Sequence, residues 1–243
     1  MKKVLIVSDN VDLVSCFMFI TKAISANIAQ FNYCYSVINK TPDALITMGM
    51  SVVDMKSHNE VETIVAEYDL VISAHCKQIF PKELVKKVRC INIHPGLNPH
   101  NRGWFPQVFS IINKKPIGCS IHLMDEEIDH GDVIYQEEVS VNSWDTSMDV
   151  YNKVVSIEKK LIRKYLLDLV NEAYECQVIE SEGNYNGIKD FNALAQLNLS
   201  SKGTLGEHID LLRALTHGDF NNAYFVDDQG NKVFVKIKLN KEQ

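Results

Sequence analysis

The chain lacks paired cysteines of the metal-binding or redox kind. Its six, Cys16, Cys34, Cys76, Cys90, Cys119 and Cys176, are scattered and contain no CxxC spacing. A zinc ribbon and a disulfide framework are thereby excluded, and reduced, mostly buried thiols of a cytoplasmic protein are expected. A membrane-length apolar run is also missing. The longest, Val11 to Ala29, is interrupted by Asp12, Ser15, Thr21, Lys22, Ser25 and Asn27, whereas a spanning helix needs about 20 predominantly apolar residues. It reads as a buried helix. Met1-Lys2-Lys3 followed by Val4 to Val7 has neither the apolar length nor the small-residue cleavage site of a secretory leader. There is no positive excess either: 25 Lys and Arg stand against 31 Asp and Glu, and with a pI of 5.8 no global field draws nucleic acid phosphates. Internal repeats and low-complexity segments are absent. What remains is 243 residues, 46% hydrophobic and 23% charged, the composition of a globular protein with one large domain and an appendage.

Along the chain, short apolar runs alternate with helical patterns. Lys2 to Ser8, Phe31 to Ser36, Ser51 to Asp54, Leu70 to Ser73 and Cys90 to Ile93 read as strands. The run after Asn10, together with Asn59 to Glu67 and Pro81 to Lys87, reads as helix, the proline suiting a first helical turn. Strand and helix in alternation predict an α/β fold, a mostly parallel twisted sheet covered by helices on both faces. From His94 to Gly103 the chain turns polar and rich in proline and glycine. Helix is expected again over Phe105 to Asn113 and Met148 to Tyr174, with extended chain over Ile117 to Leu123 and Val133 to Val141. Residues 1–180 read as the main domain and 181–204 as a linker. In 205–243 a helix from Leu205 to Thr216 precedes a hairpin around Asp228-Gln229-Gly230.

Two short motifs bear chemistry. Asn92 and His94 stand two apart at a strand end, so both side chains project from one face, and ligands of open α/β sheets bind at such ends. An asparagine amide can donate to a developing oxyanion, and a histidine can move a proton near neutrality. Asp129, before His130-Gly131-Asp132, could come to a sheet end beside His94 and fix its tautomer. Each motif taken alone also fits a structural role, satisfying backbone groups or solvating a turn.

Taken together, Asn92-Ile93-His94-Pro95-Gly96, Gly118-Cys119-Ser120-Ile121-His122 and Asp129-His130-Gly131 resemble the folate-dependent formyltransferases, whose Asn, His and Asp triad has this order and separation. The run Asn98 to Ser110, with Asn101-Arg102-Gly103-Trp104, is similar to the sugar N-formyltransferases that act on dTDP-linked amino sugars. The resemblance is dense over residues 1 to about 150 and looser beyond. It implies a Rossmann-like formyltransferase domain, Asn92, His94 and Asp129 as catalytic residues, N10-formyltetrahydrofolate as donor, no metal, and a homodimer. The acceptor it implies is a dTDP-amino sugar, with the 4-amino position favoured, made for surface polysaccharide (O-antigen) synthesis.

By the same comparison, the loop from Ser73 to Pro81, with Cys76, Lys77, Gln78 and Ile79, would hold the pterin, with Asp125 and His130 as further donor contacts. Ser8, Asn10, Lys77, Asn101, Arg102, Trp104, Tyr224 and Phe225 are candidates for the sugar nucleotide: cations for a pyrophosphate, aromatic faces for thymine or hexose. Cys76 reads as a lining residue rather than a nucleophile, and His122 and His130 as lining or structural. Ser8-Asp9-Asn10 departs from the glycine-rich phosphate loop of purine-pathway relatives. Methionyl-tRNA formyltransferases share the triad but resemble a longer chain with a basic C-terminal barrel. Residues 201–243 carry six cations and six carboxylates here, which disfavours a tRNA partner. A formyltransferase acting on glycinamide ribonucleotide and a non-catalytic nucleotide-sugar or folate binding module are the alternatives.

Overall fold

The computed structural model describes residues 1–242. The chain opens with β1 (Lys2–Ser8), α1 (Val11–Thr21), β2 (Ala29–Ser36), α2 (Asp43–Thr47), β3 (Ser51–Val53), α3 (His58–Glu67), β4 (Leu70–Ala74), α4 (Lys82–Lys87) and β5 (Arg89–His94). It continues with β6 (Arg102–Gly103), α5 (Pro106–Asn113), β7 (Ile117–Leu123), β8 (Val133–Val139) and the long α6 (Ser147–Asn171). The last elements are β9 (Tyr185–Asn186), α7 (Ile188–Ala195), α8 (Leu205–Leu215), β10 (Tyr224–Val226) and β11 (Lys232–Phe234). Seven strands form one sheet in the order β3-β2-β1-β4-β5-β7-β8. The first five are parallel, and β7 runs antiparallel to β5. The expected α/β class is observed.

The sheet's core follows from strand alternation. Leu5 and Val7 of β1 pack with Val71 of β4 against Val61 and Ile64 of α3 and Leu84 of α4. Val4 and Ile6 point the other way and are equally buried, as period-two geometry requires of strands covered on both faces. Burying one such side chain contributes about 1.5–3 kcal/mol.

The helix after Asn10 is shorter than its apolar composition suggests. Asn10 caps it by accepting from Leu13 N, but the helix stops at Thr21, and Ala29 already pairs with Lys2 in the sheet. Pro81 is the N-cap of α4 rather than part of its first turn. Residues 181–204, expected as a linker, contain β9 and α7. Gly183, at φ 62°, lies where a side chain would meet Pro99 O at 1.9 Å, so the polar stretch read as flexible is packed.

The chain divides into two compact units, each discontinuous in sequence. One comprises residues 1–94, 119–136 and 156–180; the other comprises 95–118, 137–155 and 181–243. This differs from the expected succession of domain, linker and appendage, because chain segments far apart in sequence share each core. In the second unit α5 packs on α8, and α7 on α8. Arg213, buried on α8, donates to the Asn142 and Asp145 carbonyls. Among the described residues no helix is long and apolar enough to cross a membrane.

Candidate active site

The first unit brings the expected triad together. Asn92 and His94 leave the last turn of pleat in β5, and β7 lies beside them with Asn92 opposite His122 and His94 opposite Ser120. Asp129 arrives from the loop between β7 and β8 with a left-handed backbone, φ 51°. Gly131 makes that return possible, since a Cβ there would sit 2.1 Å from Leu123 O. Asn92 Nδ2 donates to Asp129 Oδ1 at 2.9 Å, and His94 Nδ1 faces Asp129 Oδ2 at 3.5 Å. The second distance is long for a hydrogen bond, as catalytic contacts often are before substrate closes the site.

The carboxylate has a third neighbour that sequence reading treated as lining. His122 Nδ1 donates to the Leu123 carbonyl at 2.7 Å, and its Nε2 stands 3.6 Å from Asp129 Oδ1. The two histidine rings meet edge to face, 6.2 Å between centroids. The usable signal was position: His122 lies on the strand that pairs directly with the triad strand. Chemically the arrangement offers a proton carrier, an amide donor and a carboxylate to orient them. A proton on His94 Nδ1 would face Asp129 and leave the lone pair on Nε2, and Asn92 has a second amide hydrogen to give.

The loop between β4 and α4 is tied down from several sides. Asp9, just past β1, accepts from Lys77 N at 2.7 Å and from the backbone and hydroxyl of Ser36 at 3.0 and 2.6 Å. Gln78 turns inward, accepting from Met55 N and donating to Asp54. Its side chain therefore serves the loop, leaving the backbone for a ligand. Burial pushes the Cys76 thiol up to about 12, which keeps it protonated and inert as a nucleophile. Ile79 is 68% exposed although apolar, and Ile128 is open as well. Exposed apolar side chains beside fixed backbone groups suit the flat heterocycle of a pterin. His130 Nδ1 and Asp125 pair at 2.8 Å.

The sugar-nucleotide candidates separate. Ser8 is fully buried and its hydroxyl accepts from Asn10 N, closing the turn after β1. Lys77 extends to Asn39 Oδ1 at 3.0 Å. Asn101, Arg102, Trp104, Tyr224 and Phe225 all belong to the second unit. Asn101, a sugar-nucleotide candidate by sequence, is fully buried. Its Oδ1 accepts from Asn113, Asn184 and Asn186 at 2.6, 2.8 and 3.3 Å, so it holds a loop. Arg102 is buried beside Glu182, 3.6 Å away. Trp104 is half-exposed and packs on Phe105, which stacks on Phe191. Tyr224 carries Lys232 over its face at 4.1 Å and meets Phe234 edge-on.

Comparison with known proteins agrees with this geometry. Residues 26–166 match the formyl transferase family, and residues 190–241 match the N-formyltransferase dimerization C-terminal domain. A dTDP-4-amino-4,6-dideoxyglucose formyltransferase of Mycobacterium tuberculosis is 49% identical over 183 residues, 75% of this chain and 78% of that one. A sugar N-formyltransferase from a Shewanella species superimposes with a TM-score of 0.98 at 55% identity over 100% of both chains. A 4-N formyltransferase from Francisella tularensis gives 0.93 at 47% identity over 99% of both. With the triad of Asn92, His94 and Asp129 assembled at the end of β5, the chain belongs to the formyltransferase family, on its sugar N-formyltransferase branch.

Proposed function

We propose that the protein transfers a formyl group from N10-formyltetrahydrofolate to the 4-amino group of a dTDP-linked 4-amino-4,6-dideoxyglucose, a sugar destined for surface polysaccharide. The convergence of Asn92 and His94 on the Asp129 carboxylate carries the reading, and the relatives named above favour this acceptor. The bound folate supplies an acyl carbon on a nitrogen that leaves once protonated. His94 Nε2 takes the proton of the attacking sugar amine and returns it to the departing nitrogen. Asn92 Nδ2 donates to the formyl oxygen as negative charge grows there. Asp129 keeps the His94 proton on Nδ1 throughout. The products are a formamido sugar and tetrahydrofolate.

The acceptor's diphosphate is assigned to Lys77 and the turn at Asn10, because β1 and β4 flank the point where the strand order reverses, the usual ligand crevice of such sheets. Two copies associate through residues 190–241, where Leu199, Val226, Val233 and Phe234 are exposed apolar side chains in the segment matching a dimerization domain. A hairpin this short is marginal alone and gains from being covered. All six cysteines are free thiols, which fits the cytoplasmic compartment.

The test is turnover with the formyl donor across a panel of dTDP-3-amino and dTDP-4-amino sugars, read as formamido product by mass spectrometry. The 4-amino sugar should exceed the 3-amino sugar in kcat/KM by about tenfold or more. Release of tetrahydrofolate only with glycinamide ribonucleotide, or with no acceptor tried, overturns the reading. Light scattering should show that a chain truncated before Leu205 has lost the dimer.

A further inference from the structure

A directed chain of hydrogen bonds runs from the first turn of α1 to the middle of α6, and the triad makes no use of it. The Leu13 N–H donates to Asn10 Oδ1 at 3.1 Å. This turns the amide nitrogen of Asn10 the other way, 3.2 Å from His75 Nδ1. An amide nitrogen can only donate, so His75 Nδ1 accepts and the ring proton lies on Nε2. Nε2 then donates to Glu158 Oε1 at 2.8 Å.

The arrangement is expensive. Glu158 falls on the apolar stripe of α6, four residues after Val154 and four before Ile162, and is 0% exposed. Its Oε2 meets no hydrogen-bonding partner among the described residues. A leucine there would bury no polar atom. His75 adds a second cost, a left-handed backbone at φ 56° in a residue with a Cβ. Both costs serve to hold the Asn10 side chain.

The location says why that matters. Ser8 pairs with Ala74, and Ala74 with Ile93, so the next row outward is Asp9, His75 and His94. His75 stands one strand from the catalytic histidine, at the point where the strand order reverses. Asn10 follows one strand further and caps α1, whose opening N–H groups have no partner within the helix. We infer that His75 and Glu158 are positioning residues for the acceptor: they fix the Asn10 carboxamide and the head of α1, against which the acceptor's diphosphate binds beside Lys77. The inference rests on the reading above that the acceptor is a nucleotide-linked sugar.

Four variants test it, with steady-state constants for both substrates and calorimetry with dTDP. Glu158→Leu and His75→Phe remove the chain, whereas Glu158→Gln keeps an accepting carbonyl and His75→Gln can accept and donate at once. The first two should raise the acceptor KM and the dTDP Kd by about tenfold or more. The glutamine variants should stay within about threefold of wild type. In all four, kcat should change by less than about threefold, since orientation of the acceptor is what is lost. An unchanged acceptor KM in His75→Phe overturns the inference, and so does a parallel loss of kcat and donor affinity, which would mark a merely structural role. If Glu158→Leu fails to fold, the two His75 variants decide. Lys77→Ala separates this inference from the acceptor reading. If it weakens dTDP binding while His75→Phe does not, only the positioning role falls; if wild type does not bind dTDP at all, both fall.

Discussion

Asp129 and Asn101 occupy closely similar local settings and do different things. Each is a non-glycine residue with a left-handed backbone, at φ 51° and 53°, and each has three polar side chains around it. Around Asp129 stand Asn92, His94 and His122; around Asn101 stand Asn113, Asn184 and Asn186. Two of the three neighbours of Asp129 are imidazoles, a group able to take up and release a proton. None of those around Asn101 is. A buried polar cluster becomes a reactive centre when its members titrate and a fastening when they do not.

The sharpest break of that comparison is at His94. His94→Asn should lower kcat by about 10²–10⁴-fold with thermal stability unchanged, because an amide cannot carry the proton. Asp129→Asn should follow closely. Activity of either within about threefold of wild type would remove general acid–base catalysis from this site. Asn92→Ala should cost about 10²–10³-fold in kcat, the loss of one oxyanion donor, with substrate KM values little altered.

Asn101→Ala should show the reverse pattern. Three donors lose their acceptor, so unfolding in urea should reveal a loss of about 1–3 kcal/mol, while kcat per folded molecule stays near wild type. If Asn101→Ala instead abolishes turnover with unchanged stability, the cluster is not a fastening.

The smallest effect concerns acid. Burial pushes the Asp145 carboxyl up, but the Lys153 ammonium at 2.5 Å and the Asn142 N–H outweigh it and hold the group below its ordinary 3.8. A depressed carboxyl stabilises the fold above its unfolded value and loses that contribution as pH falls through the folded one. Asp145→Asn should therefore be less stable than wild type at pH 7, and the gap should close below pH 3.8. A gap that persists in acid would mean that packing, and not the charge, is what Asp145 supplies.

The grouping of Asn92, His94 and Asp129 came from the resemblance to the formyltransferases, and short-range geometry accounts for part of it. Asn92 and His94 share a face through the period of a strand, and Asp129 before His130-Gly131 marks a turn into the next one. The misjudged pieces are those that distant partners decide. The apolar stretch from Val11 has helical composition to Ala29, yet pairing of Ala29 with Lys2 claims its end for the sheet. Residues 181–204 carry polar and glycine signals of a linker, but Gly183 fits against Pro99 and Asn184 donates to Asn101. That Asn113, Asn184 and Asn186 come to Asn101 is likewise invisible in an isolated polar loop residue.

The sequence by itself determined the alternation of strand and helix, hence the parallel sheet, and the placing of Asn92 and His94 on one face of a strand end. Local hydrogen bonding and hydrophobic periodicity suffice for that, since neither reaches beyond a few residues. Only the tertiary structure decided that His122 faces Asp129 and that a glutamate on α6 meets a histidine 83 residues earlier. Such pairs exist because the sheet closes distances that no spacing encodes, and a carboxyl group hidden in an apolar helix stripe is intelligible only once its partner is in place.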